Sequence, residues 1–176
     1  MPNTVNLLLL TLALVASGAS KKLDVFSKVH CGSDILKALI GRYMPNERVV
    51  VIEARHKDLG LKDLGAEEIS ENLSVISWLI CGNEYMLLED KKNIVRDVLK
   101  VPPHSKDSPL FIGICQVNGR EMTDVIVAIL KNEQGTKMLS AITAWRINEK
   151  AAKFVVIPTA GLQCSRDYIV TSDGGP

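Results

Sequence analysis

The segment that decides the fold is residues 111–130, which read Phe-Ile-Gly-Ile-Cys-Gln-Val-Asn-Gly-Arg-Glu-Met-Thr-Asp-Val-Ile-Val-Ala-Ile-Leu. Two apolar runs flank the pair Asn118-Gly119, whose residue types tolerate the positive φ angles of a type I′ turn. The sequence therefore predicts a two-residue β-hairpin, in which Val117 pairs with Arg120 and Cys115 with Met122. Because residues 125–130 are apolar on both faces, we expect their strand to lie centrally in a covered sheet.

Further strands are predicted on both sides of this hairpin. Residues 74–81 and 84–89 are rich in apolar and β-branched residues, and the turn pair Gly82-Asn83 separates them. Another strand is expected over residues 93–101, and a last hairpin joins residues 138–147 to residues 153–157. Upstream, residues 48–54 read Arg-Val-Val-Val-Ile-Glu-Ala, which favours one more strand.

Helical patterns are few. Ser33 is the expected N-cap of a short helix over residues 33–40, and Gly41 ends it. A short polar helix is also expected over residues 66–71, after an ordered loop. About eight antiparallel strands that follow one short N-terminal helix predict an α+β, mainly β fold, built as a curved sheet or a partly closed barrel.

The N-terminus predicts export. Residues 5–16 form an apolar run, and small residues follow it: Ser17, Gly18, Ala19 and Ser20. A helix of about twelve residues is only about 18 Å long, whereas the hydrocarbon core is about 30 Å thick, so the run is typical of a secretory signal. We expect the signal peptidase to cleave after Ala19, so that Ser20 is the neighbouring residue on the other side of the cleaved bond. No Lys or Arg precedes the run, which leaves an uncleaved anchor or a buried N-terminal element as alternatives.

The rest of the chain is expected to form one domain. Of the 176 residues, 47% are apolar and 23% are charged, a composition that supports one sizeable core. We assign residues 1–19 to the signal peptide, residues 20–171 to a single mostly-β domain and residues 172–176 to a disordered tail. After removal of the signal, no membrane span is expected.

Four cysteines lie at wide and nearly even spacing: Cys31, Cys81, Cys115 and Cys164. No pair has the short separation of a zinc or redox motif, so structural disulfides are expected in an oxidising compartment. The sequence does not choose among the possible connectivities. Buried free thiols are the alternative, because Cys81 and Cys115 fall in apolar strands. The predicted location is secreted or periplasmic.

The charge balance bears on partners. Since 21 basic residues oppose 20 acidic ones, the chain lacks the positive field of a phosphate-binding protein. We therefore do not expect nucleic acid as a partner. Because export is predicted, the expected partner is an extracellular or periplasmic protein. The histidines His30, His56 and His104 do not stand at metal-ligand spacing on one element, so neither a metal nor a cofactor is expected.

Two segments carry the candidate binding residues. His56 and Asp58 belong to a mixed-charge run at an expected strand end, a position where binding residues often sit. His104, Ser105 and Lys106 belong to a proline-bounded loop in which a histidine, hydroxyls and a carboxylate cluster. For both segments the alternative is a solvated connector.

Two functions fit these observations. The favoured hypothesis is an exported soluble binding module of unknown ligand, of which a protein inhibitor is one form. The alternative is a small exported hydrolase with loop-borne catalytic residues, although no Gly-x-Ser-x-Gly motif is present. The two hypotheses differ in one structural expectation, because an enzyme requires a concave site with perturbed titratable groups.

Overall fold

The computed structural model describes residues 24–168. Strands account for 47% of the residues and helices for 12%, which confirms the α+β, mainly β class. The strands form two antiparallel sheets. The predicted signal peptide, residues 1–19, and the predicted tail, residues 172–176, lie outside the described residues.

The N-terminal part is helical, with α1 (Ile35–Leu39), α2 (Val49–Arg55) and a 3₁₀ turn (Lys57–Leu59). The predicted helix near residue 35 is present as α1. Its N-cap is Asp34 rather than Ser33, because the Asp34 carboxylate accepts the Lys37 backbone N–H at 3.2 Å.

The strand predicted over residues 48–54 is wrong, since these residues belong to α2. The helix buries only Ile52 and leaves its three valines exposed. Long-range contacts hold its C-terminal end: Arg55 bonds to Asp24, and the Glu53 carboxylate accepts the Asp63 backbone N–H at 2.9 Å. Tertiary contacts thus override the β preference of the valines.

The first sheet contains β1 (Lys62–Ser70), β2 (Leu73–Ile80), β3 (Asn83–Asp90) and β4 (Val95–Lys100), which are neighbours in chain order. The helix predicted over residues 66–71 is wrong, because most of this stretch lies in β1. As an edge strand, β1 exposes its polar residues to solvent, and pairing with β2 decides its conformation. The β2–β3 hairpin is confirmed, but its turn is Cys81-Gly82, with φ angles of 51° and 73°, one residue earlier than predicted.

The second sheet curls into a half-barrel. Its strands are β5 (Leu110–Gly113), β6 (Cys115–Val117), β7 (Arg120–Glu121), β8 (Ile126–Leu130), β9 (Met138–Asn148), β10 (Lys153–Ile157) and β11 (Leu162–Ser165). The order is β5-β8-β9-β11-β6-β7, and β10 also pairs with β9. Strand β11, which the sequence analysis missed, joins the two parts of the curl.

The hairpin at Asn118-Gly119 is confirmed in register. Val117 pairs with Arg120, the Met122 N–H donates to the Cys115 carbonyl at 2.8 Å, and both turn residues have positive φ. The two arms expected for this hairpin, residues 111–117 and 120–130, are each divided, the first after Gly113 and the second after Glu121. As a result β5 pairs with β8, whereas β6 pairs with β7 and β11. As predicted, β8 is buried throughout and lies between β5 and β9.

The first sheet is covered on both faces. One face, which includes Trp78 and Leu87, packs against the helical N-terminal part. The opposite face, which includes Met86 and Leu88, packs against the second sheet. A third apolar cluster, around Phe111, belongs to the strands of the second sheet.

The structural disulfides are confirmed, and the free-thiol alternative is wrong. Cys31 bonds to Cys81, and Cys115 bonds to Cys164. The first bond ties the N-terminal segment to the β2–β3 turn. The second joins β6 to β11, where its two residues are register partners.

Candidate functional site

The first predicted histidine, His56, is the C-cap of α2 and pairs with a carboxylate. Its Nε2 lies 2.9 Å from Asp24 Oδ2, which also accepts from Arg55 Nη1 at 2.8 Å, while Oδ1 accepts the Phe26 N–H at 2.9 Å. Burial raises the pKa of Asp24, but hydrogen bonds from His56, the Phe26 N–H and Arg55 together bring it below its usual value. Asp24 is thus a half-buried carboxylate with its donors in place.

The second predicted histidine, His104, also pairs with a carboxylate. Its Nε2 lies 2.8 Å from Glu84 Oε2, and the two side chains are only 16% and 15% exposed. The following loop is closed by reciprocal backbone hydrogen bonds between Ser105 and Ser108, at 3.0 and 3.1 Å. Lys106 is exposed within that loop. The loop thus joins β4 to β5 and is closed by its own backbone hydrogen bonds.

The predicted binding residues stand at two separate places. His56 packs edge-on against Phe26 on the helix-covered face of the first sheet, and Asp58 is exposed in the adjoining 3₁₀ turn. Glu84 alternates with Tyr85 along β3, so its side chain and His104 lie on the opposite face. The structure does not combine these residues into one site.

A cavity of 230 Å³ lies where the β1–β2 turn meets the β3–β4 turn. The backbone joins the two turns, because the Lys91 N–H donates to the Asn72 carbonyl at 3.1 Å. Polar residues dominate the lining, which consists of Glu68, Ser70, Glu71, Asn72, Leu73, Ser74, Glu89, Asp90, Lys91 and Asn93. None of the binding residues predicted from the sequence lines this cavity.

Glu89 is the unusual member of this lining. It is 8% exposed, and its buried Oε2 has no hydrogen-bond partner among residues 24–168. Burial, with a smaller contribution from the charge of Asp90, raises the pKa of Glu89 to about 7. An isolated carboxylate is costly to bury, so the protonated form is favoured until a donor or cation compensates it.

The strand register places a second carboxylate and a hydroxyl on the same face. Glu68 on β1 pairs with Ser74 on β2, and Ser74 pairs with Glu89 on β3. Directly opposed residues in an antiparallel sheet project to one face, with Cα atoms about 5 Å apart, so the two glutamates stand about 10 Å apart at Cα. Glu68, Ser74 and Glu89 form what we call the Glu-Ser-Glu row.

Asp90, which follows Glu89, is by contrast engaged within its own turn. Its Oδ1 accepts the backbone N–H groups of Lys92, at 2.8 Å, and Ile94, at 3.1 Å, and its Oδ2 lies 3.6 Å from Arg96 Nη1. Asp90 therefore adds negative charge beside Glu89 without offering it a hydrogen bond.

Sequence reasoning missed Glu89 although it predicted the strand that carries it. A signal was present in the alternation of β3, because Tyr85, Leu87 and Glu89 share one face, and Tyr85 and Leu87 are buried on it. A glutamate that continues such a buried row is a candidate for a perturbed pKa.

Within residues 24–168, no three His, Cys, Asp or Glu side chains are grouped so that they could hold a metal ion. The same part of the chain contains no helix that is both long and apolar enough to cross a bilayer.

Fold and site together define a mainly antiparallel β protein with two disulfides and an acidic cavity at one end of its four-stranded sheet. No family model, no curated protein and no solved structure matches this chain.

Proposed function

We propose that this chain is an exported binding module whose ligand site is the cavity over Glu89. The observation that carries the proposal is a buried carboxyl group that lines a polar cavity and lacks a hydrogen-bond partner within residues 24–168. Such a group lowers the stability of the free protein when it ionises, and a ligand that supplies the missing donor offsets this cost.

The remaining evidence agrees with this proposal. Two disulfides suit an oxidising compartment, and the apolar run over residues 5–16 favours export. His56 and His104 are each held by a carboxylate, and neither lines the cavity. Neither histidine therefore lies where it could act on a ligand bound in this cavity. A protein inhibitor, which binds a foreign enzyme, is one form of the proposed module.

The test is a binding map by amide NMR spectra of uniformly ¹⁵N-labelled protein at pH 8. The probes are n-butylammonium, n-butyrate and glucose, which represent cations, anions and neutral polyols. We expect at least one probe to cause saturable shifts at Ser74, Glu89 and Asn93, while amides of the His104 loop stay unchanged. Saturable shifts confined to the His104 loop, or the lack of any saturable shift, would contradict the proposal.

A second candidate function rests on the same cavity. A carboxylic acid with a pKa near 7 can act as a general acid, and the Glu-Ser-Glu row offers a second carboxylate on the same face. Pairs of carboxyl groups hydrolyse glycosides. Under this hypothesis the protein hydrolyses nitrophenyl glycosides, and Glu89→Gln removes the activity whereas Glu84→Gln keeps it. Equal rates for both variants and for the uncatalysed reaction would reject it.

A further inference from the structure

We infer that the cavity over Glu89 accepts an ammonium or guanidinium cation, which the two carboxylates of the Glu-Ser-Glu row neutralise. The inference rests on the proposed binding function and names the chemistry of its ligand. Ammonium and guanidinium groups share one recognition chemistry, because both combine positive charge with several N–H donors.

The first argument is the unmet hydrogen-bonding capacity of Glu89. An ionised carboxylate accepts hydrogen bonds at both oxygens, and Oε2 has none from the described residues. An ammonium group carries three N–H donors, and the acceptors Glu89, Ser74 and Glu68 project from one face of the sheet beside the cavity. Charge-assisted bonds of this kind are roughly twice as strong as neutral ones.

The second argument is the charge of the lining. It contains four carboxylates, on Glu68, Glu71, Glu89 and Asp90, and one ammonium, on Lys91. Such a lining attracts cations and repels phosphate, sulfate and carboxylate ligands. A metal ion fits less well, because residues 24–168 present no group of three suitable ligands. An ammonium or guanidinium group needs fewer oxygen atoms around it than a metal ion does.

The third argument is size. The cavity measures 230 Å³, which is smaller than the about 300 to 1,000 Å³ of sites for drug-sized ligands. It suits the cationic end of a side chain or a small amine. The cation can therefore come from a free amine or from a lysine or arginine of a partner protein.

The inference has a pH dependence with a definite sign. The cation pairs with ionised Glu89, whose pKa is raised to about 7, so affinity increases as the pH rises through that value. The other charged groups that line the cavity are Glu68, Glu71, Asp90 and Lys91. We expect binding to be about 10- to 100-fold weaker at pH 5 than at pH 8.

The experiment titrates the purified, disulfide-bonded protein with n-butylammonium and n-butylguanidinium, and follows amide shifts at pH 5 and pH 8. Neutral n-butanol and anionic n-butyrate are the matched controls for size. The variant is Glu89→Gln, and the control variant is Glu84→Gln, which changes a glutamate on the same strand whose partner is His104. We expect Glu89→Gln to weaken binding of the cations about tenfold or more at pH 8, and Glu84→Gln to leave it unchanged.

A further arm identifies the source of the cation. Nα-acetyl-lysine methylamide carries the same ammonium group on a peptide-like backbone. Tighter binding of this compound than of n-butylammonium supports a protein side chain, and the reverse order supports a free amine.

Two results would overturn the inference. One is equal binding of n-butanol and n-butylammonium, and the other is unchanged cation affinity in Glu89→Gln. If glucose or n-butyrate binds at the cavity and the cations do not, the cation inference fails while the proposed binding function stands. If no probe binds there, both fail.

Discussion

Strand β3 carries a glutamate near each end. Both carboxyl groups are largely shielded from solvent, but only one of them has a hydrogen-bond partner among the described residues. Glu84 has His104 at 2.8 Å, whereas Glu89 has a buried oxygen without a partner among the described residues. The two residues are five positions apart and therefore project to opposite faces of the first sheet. A paired carboxylate is compensated when it ionises, whereas ionisation of an unpaired buried one lowers the stability of the fold.

The largest expected effect concerns the disulfide beside the Glu84 end of β3. Replacing Cys31 and Cys81 by serine opens a loop with a sequence separation of 50 residues. In the chain-entropy model the loss is about 4 kcal/mol of the free energy of unfolding. Urea unfolding of the double variant measures it.

The same variant also tests whether the two ends of β3 behave independently. Because Glu89 lies at the far end of β3 from the disulfide, the decrease in stability that ionisation of Glu89 causes at high pH should be the same in this variant as in the wild type. A variant with unchanged stability, or with a lost pH dependence, would contradict this expectation.

The second effect is the pH dependence caused by Glu89. Its pKa is about 7 in the folded protein and 4.5 in the reference state, so the folded state binds more protons between these values. Stability is therefore full below about pH 4.5 and falls by up to about 3 kcal/mol as the pH rises through 7. Glu89→Gln should remove this decline and be more stable than the wild type at pH 8.

Urea unfolding at pH 4.5, 6 and 8 distinguishes the variants. Glu84→Gln serves as the control and should keep the decline. If the wild type is equally stable at all three pH values, Glu89 is not the buried acid that the structure describes.

The smallest effect comes from removing the partner of Glu84. His104→Ala leaves a carboxylate that is 15% exposed without its hydrogen bond, and we expect a loss of about 1 to 2 kcal/mol at neutral pH. In the double variant with Glu84→Gln, part of the loss should be recovered, with a coupling energy of about 1 kcal/mol. Strict additivity of the two changes would show that the pair contributes nothing.

How much could be predicted from the sequence depended on the range of the interactions involved. The hairpin at Asn118-Gly119 was predicted in register, because its turn chemistry is local. Residues 48–54 were assigned to a strand, since their β-branched side chains outweighed contacts that are invisible locally, such as Arg55 with Asp24, 31 residues away. Strand β11 was missed because Leu162–Ser165 is short and half polar, and only its partners β6 and β9 define it.

The candidate site was harder to predict than the fold. His56 and His104 were chosen for their chemistry, and whether they bind a ligand remains a prediction. What the sequence did not reveal is that each has a carboxylate partner, Asp24 or Glu84, drawn from a distant segment. Glu89 was overlooked because its importance comes from burial, and burial depends on which face of β3 the helical part covers.

The position of β11 between β6 and β9 has a consequence for the order of folding. The β1–β2, β2–β3 and β9–β10 hairpins join neighbours in the chain and can form early, whereas β11 must find β6 across about 49 residues. Closing so long a loop carries an entropic cost before any contact compensates it. Strand β11 therefore cannot join β6 to β9 until residue 165 has left the ribosome. Until then, the edges of β6 and β9 that β11 will cover stay unpaired. A folding intermediate with such edges is prone to aggregate with other chains.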